Sequence, residues 1–410
     1  MSLTPSSPVP KIAFRARGST YIATIAIGHG LKHWYVAAFS VFIPLIVDEY
    51  ELTAIGITML GLIRQFGGGF PNFFVGFVSD RLHGYWHWLL PMSFLGAAFS
   101  MMMAGFTPWV WPLVCFAGLA GVFAAFWHPP AISMLSTRFP QHRGMAIAFH
   151  GSGSGAGEAL GPLVVGFVLV TWLADDWRAY VLWSFFPAIL ISGVLYWLLV
   201  GAGTPPNPAS DKKPRLIDTV ALLRNKVYIS LAYANFIRSF AHFGLLTFMP
   251  VYLAEDLRMD SFGVGFHVSL LTLLGVGVGP LFGLFSDRIG RRIPIVGGMS
   301  IIAVGILAMG AIGSGVGLAI ALAFTGLFLW SIQDVINATA MDASPPGLQG
   351  STVGVMFLSS LAGATIGQVV LGAVVELTGS LRSVFFVSGL LMAPAGIILA
   401  LAPLKKGQGE

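Results

Sequence analysis

Stretches of about twenty residues with hardly a charge among them recur along the whole chain, and they leave few folds open. A bilayer core needs about 20 consecutive apolar residues per helix. Windows of that size read as twelve spans, near 19–47, 53–79, 86–106, 108–136, 144–172, 178–201, 226–253, 261–286, 293–313, 315–341, 349–377 and 382–403. Only 10% of the 410 residues are charged, against roughly 25% in soluble domains. Such a chain cannot coat its own surface with charge, so lipid has to cover much of it. The 51 glycines agree with this, because small residues let membrane helices approach closely. The expected fold class is an all-α membrane protein with twelve transmembrane helices.

The longest polar connection, 202–225, holds Pro205, Pro206, Pro208, Asp211, Lys212, Lys213, Pro214 and Arg215. It reads as a cytoplasmic linker between an N-terminal six-helix bundle, 1–201, and a C-terminal one, 226–410. With both termini inside, the inner segments carry sixteen Lys and Arg and the outer ones only Arg178, Arg258 and Arg382. That is the bias of the positive-inside rule, and it predicts a multi-pass protein of the inner membrane with both ends cytoplasmic. The first eighteen residues are polar and basic and no cleavable signal is expected. Cys115 is the single cysteine, which rules out an intrachain disulfide or a thiolate metal cluster.

The two halves repeat. Shifting the sequence by 206 residues carries Pro44 onto Pro250, Glu49 onto Glu255, and Gly144, Gly157, Gly161 and Gly166 onto Gly350, Gly363, Gly367 and Gly372. A shift of 207 carries Gly76, Ser79, Asp80 and Arg81 onto Gly283, Ser286, Asp287 and Arg288. The halves are therefore expected to be pseudo-symmetric parallel repeats with a site at their interface. Gly153, Gly157 and Gly161, four residues apart, are expected to form a close-packing face.

Gly283-Leu-Phe-Ser-Asp287-Arg288-Ile-Gly290-Arg291-Arg292 resembles the loop 8–9 signature of the major facilitator superfamily, and Gly76-Phe-Val-Ser-Asp80-Arg81-Leu-His-Gly84 its loop 2–3 copy. The resemblance implies the two-bundle fold of that family. It also implies a gating charge relay at Gly76, Asp80, Arg81, Gly283, Asp287, Arg288 and Arg292. Phe126-Trp127-His128-Pro129-Pro130-Ala131, followed by Gly151–Pro162, is similar to helices 4 and 5 of the fosmidomycin-resistance branch, with Pro130 where that branch has an acid.

Ionisable side chains inside a bilayer are costly and mark function by default. Lys32 in span 1 and Arg238 in span 7 coincide under the 206 shift, and Arg64 lies in span 2. Two cations set symmetrically at the midplane can clamp an anion, and guanidinium offers a planar fork for carboxylate or phosphate. The other reading is that these cations neutralise Glu158 and Asp334, the two acids within spans. Three cations against two acids leaves one unmatched, which favours the clamp. His29 and His33 share a helix face with Lys32, Tyr35 follows, and Gln333 and Asn337 flank Asp334; all are candidate substrate-binding residues. His128 falls on Asp334 under the same shift, so His128, Glu158 and Asp334 are candidates for proton coupling.

No enzyme motif survives. The Gly151-Ser-Gly-Ser-Gly155 run has neither nucleophile-elbow nor dinucleotide spacing, and there is no phosphate-binding loop. No cofactor and no metal ligand are expected, and no basic stripe points to nucleic acid. The partners expected are a small-molecule substrate, a coupling ion (a proton) and lipid, with the protein a monomer. The reading is a secondary transporter, symporter or antiporter, for a small organic anion such as a carboxylate or phosphonate. The alternative is proton-coupled efflux of neutral or cationic drugs.

Overall fold

The computed structural model describes residues 18–69, 71, 75, 85–202, 224–343 and 349–401, and these are helical almost throughout. The helices are α1 (Gly18–Tyr50), α2 (Ala54–Gly69), α3 (Trp86–Phe106), α4 (Val110–Ala125), α5 (His128–Arg138), α6 (Arg143–Val168) and α7 (Trp177–Ala202). After the linker come α8 (Lys226–Glu255), α9 (Ser261–Ile289), α10 (Arg292–Ile312), α11 (Val316–Asp342), α12 (Gln349–Thr378) and α13 (Ser383–Leu401). Counting α4 with α5, ten of the described helices are long and apolar enough to cross a membrane, while Ala54–Gly67 and Ser261–Val276 are shorter apolar stretches. Large apolar side chains such as Leu190, Val304, Val316 and Leu377 stand fully outward, a surface that only lipid or another protein tolerates. The predicted linker 202–225 lies outside the described residues except at its ends, and so do Gly76, Asp80 and Arg81.

The predicted span 108–136 is not one continuous helix. Phe126 and Trp127 form a turn between α4 and α5. Pro129 and Pro130 cause it, since each lacks an N–H and its ring crowds the carbonyl four residues back. The turn sets His128 at the very start of α5, where its side chain is free to point at α1. Pro44 in α1 and Pro250 in α8 lie inside helices at matching places in the two halves.

Packing follows a pattern that recurs. In the first half α1 packs on α6, α2 on α4, and α3 on α7; in the second α8 packs on α12, α9 on α11, and α10 on α13. Between halves, α6 meets α9 and α2 meets α12. Glycines permit the tightest of these contacts. A Cβ at Gly157 would strike the carbonyl oxygen of Gly30, and one at Gly161 would lie 3.0 Å from that of Trp34. In the second half Gly363 faces the carbonyl of Phe236 in the same way, and Gly367 that of Phe240, at 2.6 Å. All four residues on each side of this correspondence differ by 206. Arginines cap matching helix ends: Arg178 donates to the Gly105 and Thr107 carbonyls at 2.8 and 2.7 Å, and Arg382 to those of Gly310 and Ala311. Positive charge at a helix C-terminus is favourable.

Candidate functional site

The first turn of α5 and the middles of α1 and α6 bring six ionisable side chains together. Four are histidines. The rings of His29 and His150 stack at 3.7 Å with planes 2° apart; His29 meets His33 and His128 edge-on at 4.7 and 4.8 Å. Lys32 Nζ lies 3.0 Å from His128 Nε2. An ammonium has only donors, so that ring nitrogen accepts. His33 Nδ1 stands 2.6 Å from Glu158 Oε1. His29 Nδ1 donates to the His150 carbonyl at 2.7 Å, and Trp127 Nε1 donates to His150 Nε2 at 3.3 Å. The rings of His29, His128 and His150 are thereby oriented by hydrogen bonds, while both ring nitrogens of His33 lack one.

Two further cations stand on other helices, and of these Arg64 reaches the cluster. Arg64 on α2 donates to the Val36 carbonyl at 3.0 Å and lies 5.7 Å above the Phe39 ring. It lies in the electrostatic reach of Glu158 on one side and of His242 on the other. Arg238 on α8 is 4% exposed and bonds the Ser239 hydroxyl at 3.1 Å, with longer contacts of 3.4 Å to His242 Nδ1 and the Leu329 carbonyl. Among the described residues, no carboxylate lies within 4.0 Å of Lys32, Arg64 or Arg238. Glu158 instead stands against His33. Asp334 is exposed and interacts with Arg238 only through space.

Several buried polar atoms here have no hydrogen-bond partner in the protein: His29 Nε2, His33 Nε2, Arg238 Nε, His242 Nε2, Trp330 Nε1 and Gln333 Oε1. Buried polar atoms are nearly always satisfied, so such a concentration marks a place that a ligand or water completes.

Of the residues named from sequence, the structure brings together Lys32, His29, His33, His128 and Glu158. Arg64 and Arg238 sit on adjoining helices, and Gln333 bonds Asn337 at 3.0 Å on the same α11 that carries Asp334. Tyr35 falls elsewhere: its hydroxyl donates to the Ser184 carbonyl at 2.5 Å and its ring meets Phe94, in an apolar cluster between α1, α3 and α7. Trp127 is wholly buried. In the second signature loop Arg291 pairs with Asp342 at 3.1 Å and reaches the Ser286 hydroxyl at 2.6 Å; Arg288 is exposed and Gly283 ends in open space. His150 is the residue that sequence reasoning missed. Its signal was the eight-residue spacing to Glu158, which puts both on one face of α6.

Apolar helices enough for many crossings, enclosing buried cations, define a multi-pass membrane protein. The chain belongs to the Major Facilitator Superfamily, whose sequence profile matches residues 25–368 and 231–409. It is similar to the fosmidomycin resistance protein of Escherichia coli (strain K12), at 21% identity over 371 residues that cover 87% of this chain and 86% of that one. It is also similar to the glycerol-3-phosphate transporter of Bacillus subtilis (strain 168), at 26% identity over 392 residues, covering 86% and 85%. In fold it resembles the crystal structure of a D-xylose–proton symporter, with a TM-score of 0.73 at 15% identity and coverage of 96% and 99%. The chain is thus a membrane transporter and not an enzyme.

Proposed function

We propose that this protein is a secondary active transporter of the inner membrane that carries a small organic anion, a carboxylate or phosphonate. It works with twelve spans in two six-helix bundles, both termini cytoplasmic, rocking about a midplane site. The matched packing of the two halves supports the two-bundle reading. Transport is driven by proton coupling or by exchange against another anion, and His128, Glu158 and Asp334 are the groups placed to move the proton.

One observation carries the anion reading. Lys32, Arg64 and Arg238 are hydrogen-bonded only to neutral groups, and Glu158 and Asp334 act on them only through space. A desolvated cation with no counter-charge in contact is costly, and an anionic substrate supplies that contact. Arg238 Nε keeps an N–H in reserve for it. The similarity to a glycerol-3-phosphate transporter favours the same class of cargo.

The test is uptake into proteoliposomes of a panel of carboxylates and phosphate esters. Arg238→Ala abolishes uptake of the anionic substrate while the protein still inserts and purifies as a folded species; undiminished uptake by that variant refutes the reading. Efflux of neutral or cationic drugs is favoured instead by the similarity to a resistance protein. It predicts that Glu158→Gln and Asp334→Asn, not Arg238→Ala, remove transport.

A further inference from the structure

We propose that His29, His33 and His128 form a binding site for a divalent transition-metal ion of borderline softness, such as Co²⁺, Ni²⁺ or Zn²⁺. The three offer one ligand atom each, and these atoms lie within 4.8 Å of one another. In a tetrahedral imidazole site with metal–nitrogen bonds of about 2.0–2.1 Å, neighbouring ligand atoms stand about 3.3 Å apart. The rings therefore need to draw in by about 1.5 Å, a movement within reach of side-chain rotation.

The outer contacts of the rings are those that metal-bound histidines use. Imidazole ligands give their second N–H to a carbonyl or a carboxylate, which fixes tautomer and orientation. His29 Nδ1 donates to the His150 carbonyl, leaving Nε2 with a lone pair and no partner. His33 Nδ1 lies 2.6 Å from Glu158 Oε1 without a hydrogen bond to it, and its Nε2 is likewise without a partner. Both free nitrogens are buried, and both belong to rings that meet edge-on. His128 supplies the third nitrogen from the start of α5, at the turn made by Phe126 and Trp127. Three imidazoles leave a coordination position open for water or an oxygen donor, the arrangement of exchangeable rather than closed metal sites. Carboxylate and imidazole without thiolate suit these ions better than Cu⁺, and nitrogen donors disfavour Mg²⁺ and Ca²⁺.

Lys32 is the built-in competitor. Its ammonium occupies the His128 nitrogen at 3.0 Å, so the metal takes that lone pair only as Lys32 leaves it. The metal and the anion proposed above therefore make opposite demands on one side chain, and each proposal stands or falls separately.

The experiment uses the purified full chain in detergent, free of any polyhistidine tag, titrated with CoCl₂ and followed by visible absorption. Expected is a saturable ligand-field band of four- or five-coordinate nitrogen ligation, at one ion per chain, displaced by ZnCl₂ and untouched by MgCl₂ or CaCl₂. His29→Gln and His128→Gln lose the band. Glu158→Gln keeps it but binds about 10–100-fold more weakly, as an outer-shell partner should. Lys32→Met tightens Co²⁺ binding while losing anion binding, and His267→Gln, a control outside the cluster, changes neither. Should the histidine variants fail to fold, the wild-type spectrum and the Lys32→Met affinity decide the matter. A six-coordinate aqueous Co²⁺ spectrum in the wild type, or tightening absent in Lys32→Met, overturns the proposal.

Discussion

The two halves share a frame and differ in what they hold within it. His29 in α1 donates to the His150 carbonyl at 2.7 Å. At the positions 206 residues later, Asn235 in α8 donates to the Met356 carbonyl at 2.6 Å. The glycine seams and the two prolines repeat in the same register, and the arginine caps recur within two residues of it. The contents do not. Lys32 meets His128, whereas Arg238 stands clear of Asp334. His33 and Glu158 face each other, whereas their counterparts Ser239 and Ala364 do not: Ser239 bonds Ser360 at 2.7 Å. The contacts that hold helices together are thus common to both halves, while the titratable cluster belongs to the first alone. A symmetric scaffold carries an asymmetric site, and the asymmetry is where chemistry should be sought.

The comparison can be broken at several points. The largest effect is expected from Lys32→Ala and Arg238→Ala, each costing about 2–5 kcal/mol of anion affinity if the two cations act on one ligand. Thermal shift of the purified protein against carboxylates and phosphate esters measures it, and a loss confined to one variant would assign the anion to a single half. Next come Gly157→Val and Gly363→Val. Each forces a side chain onto a facing carbonyl, and each should lower stability by about 1–3 kcal/mol or prevent folding; melting temperatures that fall for one and not the other would show that the seams are not equivalent. His29→Leu and Asn235→Leu orphan matching carbonyls, at about 1–3 kcal/mol each. Equal losses in melting would mark both as frame, while a further loss of Co²⁺ binding in the first alone would mark its added role. Smallest are Arg178→Ala and Arg382→Ala, at about 0.3–1 kcal/mol each for the helix-end charge. Arg178 also pairs with Glu49 at 2.6 Å, so its melting should respond more to salt.

Much of the frame was legible in the sequence, because apolar runs and glycine spacing are periodic along the chain and the 206-residue shift tied Lys32 to Arg238 and Gly157 to Gly363 before any coordinates. The site was legible only in part. His29, Lys32 and His33 are near neighbours on one helix, so their company was foreseeable. That His128 closes on Lys32 depends on the break before α5, which the Pro-Pro pair hints at without giving its direction. His150 meets His29 because α1 and α6 approach to backbone contact, a distance set by residues that carry no chemistry. Tyr35 was misjudged for a related reason: it follows Lys32 by three residues, but α7 stands on that flank and takes its hydroxyl.

The glycine seam between α1 and α6 makes those two helices a single stiff strut, with carbonyls on one bearing directly on the other. His29, Lys32, His33, His150 and Glu158 all ride on it and keep their mutual distances when the half tilts. His128 does not ride on it, since a two-residue turn separates it from the straight run of α4. The contacts of that turn, Lys32 with His128 and Trp127 with His150, are therefore the joint of the assembly, and a lever pulling on α5 would bear on them first.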